Sequence, residues 1–267
     1  MIEPGKTYVV MGLLDQDSIA YAVGRTIESN GGHVVYTMQN ERIKRIFFDR
    51  SKKISQAEKD ALAIDFCDVT DETNVQDLFN RIGPISGVVH SIAFANPKTC
   101  LGKEYHTNAL DDLKNGFQIS VVSLATVTQY AQPHMPEGGS IVCMSFSSQI
   151  AWAYYNWMGV NKAALEANVR GLARCHGKNL VRVNAVSAGP LHTKAAGAIP
   201  GFDELGATWE KISPISWDPE TDQQEVANAI AFLLGPYSKK ISGQTIYVDG
   251  GASIIGGDLM PYELAGA

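Results

Sequence analysis

The sequence predicts an α/β fold, a single doubly wound parallel sheet of about seven strands, on three observations. Short apolar, β-branched runs alternate along the 267-residue chain with amphipathic stretches long enough for helices. The strand runs are apolar nearly throughout, the pattern of a parallel sheet covered on both faces. No Pro- or Ser-rich linker, internal repeat or low-complexity tract divides the chain. Residues 1–267 are therefore read as one domain.

The first predicted strand, Tyr8–Met11, is wholly apolar and ends at Gly12. An amphipathic stretch then predicts a helix over Ser18–Ser29, followed by a second strand at His33–Thr37 around Val34 and Val35. Glu41–Ala61 reads as one long helix and Leu62–Phe66 as the third strand. Asn74–Arg81 is helical and leads to Gly87–Ser91, a short strand built on Val88 and Val89. Ala109–Ala131 is a long helix, Ser140–Met144 a buried strand, and Tyr155–His176 another helix. Val181–Val186, the helix Gln223–Leu234 and the strand Thr245–Val248 complete the order. Two connections read as irregular, Asn96–Asn108 and Ser187–Asp222. Both leave the carboxyl ends of strands, where open α/β sheets bind ligands. A connection as long as the second is a lid, a small subdomain or an insertion without consequence; the lid is placed at about 193–222.

Composition narrows the classes. With 45% hydrophobic, 19% charged and 9% aromatic residues, the chain is globular rather than disordered. The 22 Lys+Arg against 28 Asp+Glu leave a net charge of -6, which argues against a general nucleic-acid surface but allows a local basic patch. Cys67, Cys100, Cys143 and Cys175 form no CxxC pair and no zinc spacing, so no metal is expected. Cys67 and Cys143 lie in apolar runs, as small buried hydrophobes do. The start, Met1 to Lys6, meets a polar loop by Asp15, without the apolar core of a signal peptide. No apolar stretch of about 18 residues exists to span a membrane. The expectation is a reduced, cytoplasmic enzyme.

The chemistry begins where the first strand runs into Gly12-Leu13-Leu14-Asp15-Gln16-Asp17-Ser18-Ile19-Ala20 and then a helix. A glycine at a strand end allows close backbone approach, and the helix N-terminus offers N–H groups and positive dipole to a pyrophosphate. Only Gly12 matches the GxGxxG fingerprint, and Ser18 is also readable as a plain N-cap. Asp68, after the third strand, can accept from an adenine amino group while Val69 packs beside the ring, or can cap the next helix. His90-Ser91-Ile92-Ala93-Phe94-Ala95 ends the fourth strand at the crevice, with His90 read as a satisfied strand residue rather than a catalyst. The strongest signal is Tyr155 followed by Lys162. On a helix, seven residues fall about 20° short of two full turns, so both side chains share one stripe about 10.5 Å apart along the axis. A neighbouring ammonium favours phenolate-like charge on tyrosine and also holds a ribose hydroxyl.

Taken together, Gly12…Ser18-Ile19-Ala20, Gln39-Asn40-Glu41, Cys67-Asp68-Val69, Val89 to Ala95, Tyr155…Met158…Lys162 and Arg182 to Pro190 resemble the short-chain dehydrogenase/reductase superfamily. Within it the chain is similar to the NADH-dependent enoyl-acyl-carrier-protein reductases, over almost its whole length. Ordinary superfamily members place tyrosine four residues before the lysine, where this chain has Met158; tyrosine-x6-lysine marks the enoyl reductases. The resemblance implies a Rossmann-type fold with a substrate-binding lid, and roles for matching positions. Gly12, Ser18, Ile19, Gln39, Asp68, Val69, Ser91, Ile92 and Ala93 would line the dinucleotide. Lys162 would hold the nicotinamide ribose, with Leu191, Thr193, Lys194 and Ala195 closing over the pyrophosphate. Ala95, Phe146 and Phe202 would touch the acyl substrate, and Tyr155 would bond its thioester carbonyl. Phe146 departs from the many relatives that carry a second tyrosine there, and the stretch to Tyr155 is one residue shorter, as in the mycobacterial branch.

The resemblance also implies reduction of a trans-2-enoyl thioester in fatty acid elongation, an acyl carrier protein as partner and a homotetramer. NADH is expected over NADPH, because Thr37-Met38-Gln39-Asn40-Glu41 offers no cation for a 2′-phosphate, although Arg42 and Lys44 lie near. The alternatives are a ketone/alcohol oxidoreductase of the same superfamily and a catalytically silent NAD-binding sensor.

Overall fold

The computed structural model describes residues 1–105 and 108–258; His106 and Thr107 of the connection Asn96–Asn108, and the end of the expected domain beyond 258, lie outside the described residues. The order is β1 (Thr7–Met11), α1 (Ile19–Ser29), β2 (His33–Met38), α2 (Glu41–Ile43), α3 (Gln56–Asp60), β3 (Ile64–Phe66), α4 (Glu72–Ile82), β4 (Gly87–His90), α5 (Leu110–Phe117), α6 (Ser123–Ala131), β5 (Gly139–Ser145), α7 (Asn156–His176), β6 (Val181–Ala188), α8 (Phe202–Ile212), α9 (Gln223–Leu234) and β7 (Thr245–Val248). The strands form one seven-stranded sheet in the order β3-β2-β1-β4-β5-β6-β7. Every neighbouring pair is parallel.

The apolar strand runs follow from two core layers. Tyr8 and Val10 of β1 enter the layer beneath α1 and α9, with Val23, Ile27, Val226 and Ile230. Val9 and Met11 enter the opposite layer, with Val75 and Leu78 of α4, Leu124 of α6 and Leu165 of α7. β5 divides likewise, Val142 and Met144 to one side and Ile141 and Cys143 to the other. Each such buried side chain contributes about 1.5–3 kcal/mol, so no position in these strands is free to be polar without a partner. The strand order reverses between β1 and β4, and the crevice outside their carboxyl ends is the place such a sheet offers a ligand.

Four elements differ from the sequence reading. The long helix expected over Glu41–Ala61 is α2, a π turn over Lys44–Phe48, a break, and α3. The break is specified locally: Ser55 and Glu58 form a reciprocal capping box that starts α3. Lys59 Nζ then donates to the Asp49 and Ser51 carbonyls at 2.7 and 2.6 Å, satisfying the frayed end. The third strand is only Ile64–Phe66, because α3 and its turn absorb the residues before it. The stretch Ala109–Ala131 is helical but passes through a π turn at Gln118–Val122. Finally, Ser187–Asp222 is not irregular throughout: β6 runs on to Ala188, and α8 packs Phe202, Leu205, Trp209 and Ile212 inward. No helix among the described residues is long and apolar enough to cross a membrane. All four cysteines are free, three of them buried and Cys175 exposed.

Candidate active site

Gly12 ends β1 at φ +93°, and a Cβ there would stand 2.1 Å from the Ser91 carbonyl oxygen and 3.3 Å from Ile92 Cγ1. The Gly12 and Leu13 N–H groups both donate to Thr37 O, at 3.2 and 3.1 Å, pinning the turn to β2. Only glycine supplies this backbone and this clearance. Ser18 occupies the N-cap position of α1 but makes no capping bond; its hydroxyl donates to Asp15 O at 2.5 Å. The first N–H groups of an eleven-residue helix therefore face the loop without a side-chain acceptor, which suits an anionic pyrophosphate. Two carboxylates flank this loop. Asp17 pairs with Lys53 at 2.6 Å. Asp15 is buried and its pKa is raised by that burial, against the opposing charges of Lys194 and Lys53.

Gln39, just past β2, donates from Nε2 to Asp68 Oδ2 at 2.9 Å. Asp68 Oδ1 accepts from the Thr70 N–H and hydroxyl at 2.9 and 2.7 Å. Burial of Asp68 acts upward, but these bonds outweigh it and hold the carboxyl below its ordinary range. Asp68 does not cap α4. That role belongs to Asp71, which accepts from Thr73 and Asn74. Beyond β4, the segment Ser91-Ile92-Ala93-Phe94-Ala95 is fixed by the π turn, whose Ser120 hydroxyl exchanges 3.0 Å bonds with Phe94 N–H and C=O. A Cβ on Gly116 would lie 3.3 Å from Phe94 O and 4.0 Å from Ala95 Cα, so α5 crosses directly over this segment. Ile92 and Val69 rest on one core layer and Ile19 on the other.

Tyr155 is the N-cap residue of α7 rather than its first turn, with helical φ −89° and ψ −21°. Both neighbours are left-handed, Tyr154 at φ 65° and Asn156 at φ 32°. Asn156 is held there by Nδ2 bonds to the Gly102 and Glu104 carbonyls at 2.7 and 2.9 Å, and Tyr154 O accepts from Gly102 N–H at 2.9 Å. The knuckle costs backbone strain that the 96–105 connection offsets. Tyr155, Met158 and Lys162 are all buried, with Met158 on the helix between the other two. Lys162 Nζ donates to Met144 O at 2.8 Å, and burial pulls its pKa down to about 8, against opposing contributions from Cys143 and Glu166. Burial alone pushes the Tyr155 phenol upward, so it stands as a neutral donor, not the phenolate that a nearby ammonium would favour.

Comparison with known proteins decides the family. The family profile described as Enoyl-(Acyl carrier protein) reductase matches residues 12–253. The chain is 34% identical over 255 residues to the enoyl-[acyl-carrier-protein] reductase [NADH] FabI of Bacillus subtilis, covering 94% of this chain and 96% of that one. It is 37% identical over 255 residues to the [NADPH] FabI of Staphylococcus aureus, covering 92% and 96%. The chain belongs to the enoyl-acyl-carrier-protein reductase family. In structure it is similar to the Bacillus cereus enoyl-acyl carrier protein reductase solved with NADP+ and indole naphthyridinone, with TM-score 0.83 and 33% identity over 95% of this chain and 98% of that one. The chain is thus an NAD(P)H-dependent oxidoreductase on a Rossmann-type sheet.

Gly12 meets Ser91 and Ile92 where β1 and β4 end, Ala93 follows on, Ser18 and Ile19 open α1 after the Gly12 loop, and the Gln39–Asp68 pair lies just past β2 and β3. Leu191 is buried, Lys194 faces Asp15, and Thr193 Oγ1 accepts from Ala196 N–H at 3.1 Å ahead of the turn that Ala195 begins. Phe146 packs 4.8 Å from Tyr155, ring centre to ring centre, and Ala95 joins the same core layer. Phe202 instead faces His192 edge-on at 5.2 Å and is buried under its own helix. His90 is a buried strand residue bonded through Nε2 to Ser123 at 2.8 Å, its Nδ1 without a hydrogen-bond partner among the described residues. Sequence reasoning missed three groups. Trp152 and Trp209 lie 4.4 Å apart with their rings tilted by 35°, and both contact Phe146, Trp152 edge-on. Asn156 clamps the knuckle. Glu166 is buried one turn beyond Lys162, its two oxygens taking the Ser145 and Ser148 hydroxyls at 2.6 and 2.8 Å. The four-residue step from Lys162 was the available signal for Glu166. Nothing in the sequence marks the Trp pair, whose members are far apart in the chain.

Proposed function

We propose that the chain reduces trans-2-enoyl thioesters with NADH, using Tyr155 and Lys162. The observation that carries this is the pair's placement: a buried, neutral tyrosine heading α7, with Met158 between it and the lysine. Met158 has no proton to donate, so Tyr155 is the donor this helix offers. In a ketone reductase the donor must stand beside the carbon that accepts hydride. In an enoyl thioester, hydride goes to the β-carbon while charge gathers on an oxygen two carbons away. A tyrosine one turn farther up the helix, about 4.5 Å, suits the second geometry. Tyr155 donates to that oxygen as the enolate forms, an oxyanion-type role. Dihydronicotinamide, when bound, supplies the hydride.

Gly12, Ser18, Ile19, Ser91, Ile92, Ala93, Val69 and the Gln39–Asp68 pair fit the dinucleotide, with Leu191, Thr193, Lys194 and Ala195 over the pyrophosphate. Lys162 spends one donor on Met144 O and keeps others for the nicotinamide ribose. Ala95, Phe146 and Phe202 would line the acyl path under a lid over about 193–222. NADH is favoured over NADPH because Asn40 is occupied as the cap of α2, Glu41 follows it, and Lys44 is engaged by Asp49 at 2.7 Å. The acyl group would arrive on an acyl carrier protein, past exposed Lys98, Lys103 and Lys194. Exposed Phe117, Val122 and Val160 on α5 to α7, and Ile215 and Ile254 near edge strand β7, supply surfaces for a homotetramer. Four free thiols suit the cytoplasm.

The test is NADH consumption with an enoyl thioester beside the matching β-ketoacyl thioester. The enoyl substrate should turn over and the ketone scarcely. Tyr155→Phe should cost roughly 10²-fold in turnover with NADH affinity nearly unchanged. A better ketone substrate would hand the reading to the ketone/alcohol reductases.

A further inference from the structure

Lys162 and Glu166 lie one turn apart on α7, about 6 Å along the axis, and both are buried. They grip consecutive residues at the end of β5. Lys162 Nζ holds Met144 O at 2.8 Å, and Glu166 Oε1 takes the hydroxyl of Ser145 at 2.6 Å. The other carboxylate oxygen takes the hydroxyl of Ser148 at 2.8 Å, beyond Phe146. Each carboxylate oxygen thus has a serine hydroxyl as its partner. No cation stands within ion-pair distance of Glu166 among the described residues. A buried carboxylate whose anchors among the described residues are two serines is costly unless it does something for a neighbour.

We infer that Glu166 is a positioning residue: it fixes the Met144–Ser148 strand end against α7 and serves as the counter-charge that keeps Lys162 an ammonium for the nicotinamide ribose. The other titratable groups facing Lys162 cannot share that task. His90, on β4, is held neutral by burial, its pKa down to about 4. Cys143, on β5, is a neutral thiol, pushed up to about 12 by burial. Tyr155, at the head of α7, is neutral for the same reason. Burial drives Lys162 toward the free amine, and a fixed negative charge one turn away opposes that drive. The inference rests on the reading of Lys162 as the ribose contact.

The experiment is the pH dependence of NADH binding to the cofactor-free enzyme, followed by nucleotide fluorescence between pH 6 and 9.5 with no enoyl substrate present. Wild type should hold its affinity up to a midpoint near 8 and then lose roughly tenfold as Lys162 deprotonates. Glu166→Gln keeps hydrogen-bonding atoms and removes the charge; it should bind normally at pH 6 with the midpoint about one pH unit lower. Glu166→Asp, with the charge restored, should return the midpoint toward wild type. Superimposable wild-type and Glu166→Gln profiles would overturn the inference. Should Glu166→Gln not fold, the wild-type profile still decides: a midpoint below about 7 means that no counter-charge reaches Lys162. Lys162→Ala separates the two layers, since unchanged NADH affinity there would remove the ribose contact and this inference with it. A failure of enoyl turnover alone would touch neither.

Discussion

Gly12→Ala concentrates two costs at one atom. The residue sits at φ +93°, where an L side chain pushes against its own backbone, for about 1–2 kcal/mol. The new Cβ would also lie 2.1 Å from the Ser91 carbonyl oxygen, close to an ångström inside any tolerable approach. The obstacle is backbone, not the end of a flexible side chain, so the β4 end must retreat or the β1 turn must unwind. Either movement strains Ser91 N–H→Met11 O and Gly12 N–H→Thr37 O, both 3.2 Å bonds. A further 2–3 kcal/mol is reasonable for that rearrangement. A total near 3–5 kcal/mol lowers Tm by roughly 5–10 °C in a domain of this size. Because Ser91 and Ile92 border the proposed dinucleotide path, NADH affinity should fall by about 10²-fold or more. Calorimetry and fluorescence titration read the two effects. Gly177→Ala is the control, since a Cβ there meets nothing within 4 Å. A Gly12→Ala enzyme with wild-type Tm and NADH affinity would refute the reasoning.

Lys53→Ala should leave stability nearly unchanged, because the Asp17–Lys53 pair is largely exposed, yet weaken NADH binding several-fold by leaving Asp17 unpaired beside the pyrophosphate loop; titration at low salt measures it, and unchanged affinity would count against the placement of the pyrophosphate. Hydrogen exchange over Thr193–Leu205 should slow when NADH and an enoyl analogue are both present, as the turn and first residues of α8 settle over the acyl chain; equal exchange with and without ligands would contradict a lid. His90 makes stability fall on acidification. Its folded pKa of about 4 lies below the unfolded value near 6.5, so the unfolded chain takes up more protons between those values and stability drops as pH falls through that window. The full effect is about 3 kcal/mol, and His90→Asn should flatten the pH 6.5 to 4 slope of unfolding free energy; an unaltered slope would show that His90 does not titrate there.

The sheet was legible because its signal is local and redundant. Tyr8, Val9, Val10 and Met11 must be apolar since alternate residues enter different core layers, and the same constraint repeats in β4, β5 and β6. Gly12, Asp68, Tyr155 and Lys162 stood out because strand ends and helical spacing limit what such residues can do. The failures were of two kinds. Periodicity is blind to a helix interrupted without losing its apolar stripe, so the capping box at Ser55 was read through and the π turn at Gln118–Val122 was invisible. A composition of small residues and glycines made Ser187–Asp222 look irregular, although Phe202, Leu205, Trp209 and Ile212 repeat at helical spacing. Asp68 and Asp71 compete for one cap, and only the observed bonds assign it to Asp71.

What joins these residues into a site is the end of β5. Met144 gives its carbonyl to Lys162, Ser145 its hydroxyl to Glu166, and Phe146 its ring to Tyr155, three consecutive residues gripping one helix. The same ring reaches Trp152 and Trp209, so the strand end also touches α8. Trp209 is pinned by its Nε1 bond to Asp249 O at 3.0 Å, and Trp152 by Nε1 to Ser147 O at 3.0 Å. An indole tied at its only donor and packed against two other rings resists rotation. The tyrosine that other relatives place at 146 would bring a hydroxyl into this aromatic cluster and need an acceptor there. Phe146 removes that demand, leaving Tyr155 the phenol at this strand end. At position 146 the strand end thus contributes shape, while its polar groups, Met144 O and the Ser145 hydroxyl, serve to hold Lys162 and Glu166.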